Sequence, residues 1–253
     1  MIKKFIALAA VAAMLFACGE EPVKPEPNPD KDPIEKPEPE EPAFESAITI
    51  DGDYTDWAAV EAATATLPTE GTPKYTQLKT LKAYADEYFI FLYMEYDPTD
   101  IRTIDLFIND DNDAMTGHIN AWDEGLGLML QGSFYEFDAE YTTQLGGKSW
   151  DPSIYMFGGE DLSTAWEWVN LGVGGAASSS IANMIDDTTA AVEIQIVREM
   201  LPMPLADTIG LGVIIETAGW VSVGALPAVA EELKLEGAAN PLLSLNLPAA
   251  PIE

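Results

Sequence analysis

The alternation of apolar and polar residues, with a period of two, is the feature that most constrains the fold of this chain from Ala47 onward. In the segment AVEIQIV, 191–197, the branched apolar residues fall on one face of a strand, and Glu193 and Gln195 fall on the other. The segment TIDLFI, 103–108, alternates in the same way. Both segments are therefore predicted to be strands with one face in a core and one face toward a more polar environment.

Other segments extend this all-β prediction. EYFIFLYMEY, 87–96, is apolar on both faces, which is typical of a central strand that is covered on both sides. Glycines interrupt the apolar runs at 126–141 and 209–224, as expected for further pairs of strands. Helical patterns are scarce, and the clearest, at 228–235, is short. We expect an antiparallel β-sandwich, jelly-roll-like, with few short helices.

The first residues are typical of a segment that is removed during export. Lys3 and Lys4 precede an apolar run, Phe5 to Ala17, that is too short to span a bilayer but suits a signal peptide. The run ends at LFAC, and a lone cysteine after small or apolar residues resembles a bacterial lipobox. We predict a lipoprotein signal peptide at 1–17 and lipidation of Cys18; the alternative is a secretory signal with an incidental cysteine.

Residues 18–46 are rich in proline and glutamate and contain few large apolar side chains. Such a composition cannot bury enough apolar surface to fold, so we predict a disordered tether. The GEE sequence after Cys18 resembles the export signal of surface-displayed lipoproteins in some Gram-negative bacteria; a generic acidic tether is the alternative. The predicted location is the outer membrane, facing the cell exterior, with the lipid anchor as the sole membrane contact.

Residues 47–253 are predicted to form one domain. The full chain of 253 residues carries a formal charge of −31, which disfavours nucleic acid as a partner because the phosphate backbone would be repelled. Cys18 is the single cysteine, so an intrachain disulfide is excluded. Nothing in the sequence indicates an oligomeric state.

Four segments in order resemble the family 9 carbohydrate-binding modules and the related DOMON-like sandwiches. They are ITIDGDYTDW at 48–57, LKAYADEYFIFLYMEYDP at 81–98, TIDLFINDDNDAMTG at 103–117 and AAVEIQIVREMLP at 190–202. The resemblance covers about 48–226, and it depends on the order of the segments more than on any single motif. It implies a β-sandwich, and many such modules bind sugars while several hold calcium. Residues 227–253 match nothing in the pattern.

An acidic loop follows the strand at 103–108. Its residues do not satisfy the EF-hand template, which needs glycine at the sixth place and glutamate at the twelfth. Asn109, Asp111 and Asp113 nevertheless alternate, and calcium accepts carboxylate, amide and carbonyl oxygens. We take these three as candidate ligands of a structural calcium ion. The alternative is a polar turn, since Asp, Asn and Gly dominate turns for reasons unrelated to metal.

Tryptophans are the candidate glycan contacts, because an aromatic face can stack on a sugar ring. Trp122 and Trp150 lie in polar, glycine-rich surroundings that are typical of loops. Trp166 and Trp168 are two residues apart and would share one face of a strand. Each pair is either a binding platform or part of the core. Exposure of Trp122 and Trp150 would favour glycan binding, and their burial would favour a structural role.

His118 is the only histidine, which excludes zinc sites with several histidines. The haem-binding relatives in the DOMON group use methionine and histidine ligands, but nothing pairs a methionine with His118, so we expect no haem. Many carboxylates are present, yet no particular pair stands out as catalytic. The first hypothesis is a non-catalytic module that binds a glycan or polysaccharide; a structural or adhesive surface protein and a glycan-active enzyme are the alternatives.

Overall fold

A computed structural model describes residues 44–69, 73–133, 150–172, 174–202, 204–229 and 240–250. The predicted signal peptide, Cys18, most of the tether and most of the predicted helix at 228–235 lie outside these ranges. The chain separates into two units, and Glu45–Glu253 is the one that carries the strands. Within the described ranges, no helix has the length and apolar character needed to cross a membrane.

The regular elements of the described residues are short 3-10 helices at Tyr54–Ala58 and Arg198–Met200 and thirteen strands, which loops and turns connect. In chain order the strands are β1 (Ala63–Thr66), β2 (Leu78–Ala85), β3 (Phe89–Tyr96), β4 (Ile101–Asn109), β5 (Leu128–Ser133), β6 (Ser153–Phe157), β7 (Trp168–Asn170), β8 (Ala177–Ser179), β9 (Asn183–Met184), β10 (Ala190–Val197), β11 (Thr208–Thr217), β12 (Ser222–Leu226) and β13 (Leu243–Asn246).

The strands form two antiparallel sheets, which confirms the all-β sandwich predicted from the alternation. The first sheet has the order β1-β2-β3-β10-β8, with β9 also paired to β10. The second has the order β12-β11-β4-β5-β6-β7, with β13 also paired to β11. The segment that is apolar on both faces became β3, at the centre of the first sheet.

The main core lies between the two sheets. The inward faces of β3 and β10 contribute Leu92 and Ile194, and those of β4 and β11 contribute Leu106 and Val213. All four side chains are fully buried or nearly so. Their alternation with outward-facing residues follows directly from the period of two in the sequence.

The opening motif at 48–57 covers the outer face of the first sheet. Trp57 is buried there beside Phe91 and Tyr93. Glu193, which points to the same face from β10, accepts hydrogen bonds from the backbone N–H groups of Asp51 and Gly52 and from the Trp57 indole N–H. Because Glu193 is fully buried, these bonds offset the cost of removing its carboxylate from water.

A smaller apolar cluster covers part of the outer face of the second sheet. Trp122 from a loop packs on Phe107 of β4 and Ile214 of β11. Gly212 of β11 makes room for the indole, since a Cβ at that position would lie 2.5 Å from Trp122 Cη2. Another part of this outer face carries the site described next.

Candidate functional site

A groove of about 400 Å³ opens on the outer face of the second sheet. Its described lining consists of two tryptophans, two carboxylic acids and one amide: Trp166, Trp220, Asp105, Glu216 and Gln131. Three of the five come from the adjacent strands β11, β4 and β5, and the tryptophans come from connecting segments. The groove therefore combines a polar floor made by the sheet with aromatic walls made by loops.

Asp105 forms the floor of the groove near the middle of β4. It is directly opposite Gln131 of β5, and Gln131 Nε2 donates a hydrogen bond of 3.2 Å to Asp105 Oδ2. Asp105 is only 3% exposed, and its Oδ1 has no hydrogen-bond partner. Burial, with a contribution from the nearby Glu216 carboxylate, raises the pKa of Asp105 to about 7.

Glu216 lies on the neighbouring strand β11 and is half-buried. It is opposite Thr103 in the register, which makes it a diagonal neighbour of Asp105 on the same face of the sheet. Its Oε1 accepts a hydrogen bond of 3.0 Å from Ser222 Oγ. Burial raises the pKa of Glu216 as well, so both acids have a weakened preference for the charged form.

Trp166 forms one wall of the groove and is 59% exposed. Its indole contacts His118 edge to face, with 5.9 Å between ring centroids, and Trp168 at 6.2 Å. His118 and Trp168 also contact each other, and both pack on Phe157 of β6. These supporting rings hold the Trp166 indole in place while leaving much of its surface accessible.

Trp220 forms the opposite wall at the tip of the hairpin between β11 and β12, and it is 61% exposed. Its backbone has φ of 59°, a left-handed conformation that is uncommon for a bulky residue. Thr217 holds the turn, because its carbonyl accepts from Trp220 N and its Oγ1 accepts from Val221 N. Backbone strain of this kind clusters at functional sites, ligand clamps included.

The structure corrects the assignment of two sequence-predicted glycan contacts. Trp122 and Trp150 are 1% and 0% exposed, respectively, so neither ring can stack on a ligand. Trp122 covers the outer face of β11 as described above. Trp150 packs in the main core, and its indole N–H donates to the Gly132 carbonyl. Their polar sequence neighbours suggested exposure, but the rings turn inward into spaces left by glycine.

The two residues of the second predicted pair have different roles: Trp166 forms a wall of the groove, and Trp168 supports it. Trp166 lines the groove, whereas Trp168 is half-buried, and its indole Nε1 is buried without a hydrogen-bond partner. Trp168 starts β7, and Trp166 precedes the strand. Their rings contact each other, so Trp168 would affect a ligand mainly through Trp166.

The three predicted calcium ligands lie in different environments. Asn109 ends β4 and is buried, and its side-chain oxygen has no hydrogen-bond partner. Asp111 and Asp113 are exposed and already accept hydrogen bonds within the loop, from the backbone N–H groups of Asp113 and Met115, respectively. Thr116 Oγ1 adds a bond to Asp111 Oδ2. In the described part of the chain, no group of three or more His, Cys, Asp or Glu residues is placed to hold a metal.

A larger groove of about 1070 Å³ lies elsewhere, beside Tyr88, Arg198 and Pro248. No tryptophan is among its described lining residues. The Arg198 guanidinium donates to the backbone carbonyls of Asp86 and Glu87, so its charge serves the local fold. The smaller groove is therefore the stronger candidate, because it presents exposed aromatic rings and buried carboxylates together.

Sequence reasoning missed four of the five groove residues. Asp105 occupies the polar face of an alternating strand, where an acid is unremarkable by itself. Gln131 and Glu216 lie on other strands, and only the pairing of β11, β4 and β5 brings them together. The position of Trp220 could have been predicted, since a tryptophan directly after glycine between two predicted strands falls in a hairpin turn.

Neither the family models nor the curated proteins include a match to this chain. The case for a function therefore depends on the groove itself.

Proposed function

We propose that the protein is a lipid-anchored surface protein whose sandwich domain binds a glycan in the groove between Trp166 and Trp220, without catalysing a reaction. The observation that carries the proposal is the pair of exposed indoles on either side of a polar floor. Exposed rings at loops leave apolar surface in contact with water, and stacking on a sugar would remove it. The floor offers Gln131 and Glu216 as hydrogen-bond partners for hydroxyl groups.

Preorganisation supports this use of the groove. The Trp166 ring is braced by His118 and Trp168, and the Trp220 turn is held by Thr217. Aromatic side chains have few rotatable bonds, so fixing them beforehand reduces the entropy lost on binding. The burial of Trp122 and Trp150 favours a structural role for those two rings, so support for a ligand comes from Trp166 and Trp220.

Glycoside hydrolysis is a second candidate because two carboxylates face one groove. A general acid with a raised pKa is suitable for such an enzyme, but its partner must be ionised to act as nucleophile or base. Here both acids lie on the same face of the sheet as diagonal neighbours, so they do not flank a bond from opposite sides. We therefore favour binding over hydrolysis.

The test is a glycan-array screen of the purified full-length protein, followed by titration of each hit with tryptophan fluorescence as the readout. Trp166→Ala and Trp220→Ala should each weaken binding by about tenfold or more, as for a central aromatic contact. Met184→Ala is the matched control, because Met184 is an exposed apolar residue on the first sheet. Full affinity in both tryptophan variants would refute the proposal, and release of reducing sugar from a hit would favour the enzyme.

A further inference from the structure

The charges of the groove's lining residues indicate which class of glycan the groove would bind. This inference rests on the proposed function. Asp105 and Glu216 supply two carboxylates, and no Lys, Arg or His is among the lining residues that the structure describes. The Oδ1 atom of Asp105 is buried and has no partner. A buried carboxylate that lacks a cation is normally costly, and the described lining residues supply none, so a cationic ligand would offset that cost.

The tryptophan walls favour the same kind of ligand. The face of an indole carries partial negative charge and attracts a cation that approaches within about 6 Å of the ring. Trp166 and Trp220 both line the groove with the two acids. A sugar that bears an ammonium group can stack its C–H surface on one ring while its charge contacts Glu216 and the face of the other ring. A sugar that bears a carboxylate or sulfate would be repelled.

We propose that the groove selects glycans with free amino groups, such as polymers of de-N-acetylated amino sugars, over neutral and acidic ones. Glu216, which is half-buried, is the more accessible acid of the floor, and Asp105 lies diagonally across from it on the adjacent strand. The net charge of −31 reinforces the preference at low ionic strength. Gln131 donates to Oδ2 of Asp105 and leaves Oδ1 without a partner.

The raised pKa of Asp105 agrees with the lack of a cation among the described residues around it. The described groups that face it are Gln131 on β5 and Glu216 on β11; the first is neutral and the second is acidic. A bound ammonium group would stabilise the ionised acid and lower its pKa. At a pH below the pKa of the sugar amine, binding of the ammonium form should therefore be accompanied by release of a proton from Asp105, which a neutral sugar would not cause.

The experiment compares three β-1,4-linked oligomers of equal length that differ only at the 2-position: glucosamine, N-acetylglucosamine and glucose. The full-length protein should bind the glucosamine oligomer about tenfold more tightly than the glucose oligomer at low salt. Asp105→Asn and Glu216→Gln should each reduce that advantage several-fold. Both changes keep the size of the side chain, and a melting curve checks that each variant is folded.

Glu61→Gln is the matched control, because it removes one negative charge at an exposed position outside the groove. If this variant loses as much of the advantage as Asp105→Asn, the preference comes from the overall charge, and the inference is overturned. Equal binding of all three oligomers, sensitive to Trp166→Ala, would overturn the inference while retaining glycan binding. If neither these oligomers nor any arrayed glycan binds, the proposed function fails, and the inference fails with it.

Discussion

Gln131 Nε2 donates a 3.2 Å hydrogen bond to Asp105 Oδ2 across the β4–β5 pair, and among the described residues it is the one side-chain donor to the buried Asp105 carboxylate. One neutral donor offsets little of the cost of burying a full negative charge. Burial consequently raises the pKa of Asp105 to about 7, well above the ordinary value of 3.8. Because of this raised pKa, the stability of the protein should depend on the pH.

We expect Asp105→Asn to stabilise the protein at pH 8 and to have a much smaller effect at pH 4. The folded state binds the Asp105 proton more tightly than the unfolded chain, so stability falls as the pH rises from about 4 to about 7. The asparagine variant lacks this penalty. The gain at pH 8 should be on the order of 2–4 kcal/mol, since one pKa unit corresponds to about 1.4 kcal/mol. Urea unfolding of both proteins at the two pH values measures it; an equal difference at both would contradict the assigned pKa.

The strands could be predicted from the sequence because a period of two is a local property. The alternation at 191–197 became β10, and that at 103–108 became β4, with bounds shifted by a few residues. The groove could not be predicted, because Asp105 and Glu216 are far apart in sequence and meet only through the pairing of β4 with β11. The burial of Trp122 was likewise hidden, because the space it fills is created by Gly212 on a distant strand.

Glu193→Ala should lower the free energy of unfolding by about 3 kcal/mol. The change leaves two backbone N–H groups and the Trp57 indole N–H without their acceptor, and each buried unpaired donor costs about 1–3 kcal/mol when it finds no water. Glu193→Gln keeps one acceptor oxygen and should lose roughly half as much. Denaturant unfolding gives both values. Glu61→Ala, an exposed change, is the control. A Glu193→Ala loss no larger than that of the control would show that the hydrogen bonds to Glu193 contribute little to stability.

Gly212→Ala should cost about 2 kcal/mol in the natural protein, in line with overpacking of a filled core. The added Cβ would lie 2.5 Å from Trp122 Cη2. In a Trp122→Leu background the smaller side chain leaves room, so the same alanine should cost close to nothing. A double-mutant cycle from thermal unfolding measures the coupling. If the cost of Gly212→Ala is equal in the two backgrounds, the indole is not the group that requires glycine.

Cys18→Ala should release the protein from the membrane fraction. The predicted anchor consists of acyl chains on Cys18, and stable attachment of a chain without a spanning helix needs two or more such lipids. Fractionation of cells that express the natural protein and the variant provides the comparison, with Cys18→Ser as a second variant that also lacks the thiol. A variant that still pellets with outer membranes would contradict the lipid anchor.

The loop after β4 is expected to bind calcium weakly, with a structural effect. Asp111 and Asp113 are exposed carboxylates in one turn, and a cation would offset their repulsion; Asn109 would contribute its unpaired amide oxygen. With a dissociation constant on the order of 10⁻⁴ to 10⁻³ M, as in extracellular modules, a tenfold excess of calcium adds about 1.4 kcal/mol of stability. Melting curves in calcium and in excess chelator measure this.

The sharpest variant is Asp111→Asn with Asp113→Asn, because asparagine retains the side-chain oxygens that accept the Asp113 and Met115 N–H bonds while the charges are lost. The calcium shift should disappear in this variant. A shift that persists would place the ion elsewhere, and identical midpoints for the natural protein in calcium and in chelator would leave the loop as a polar turn.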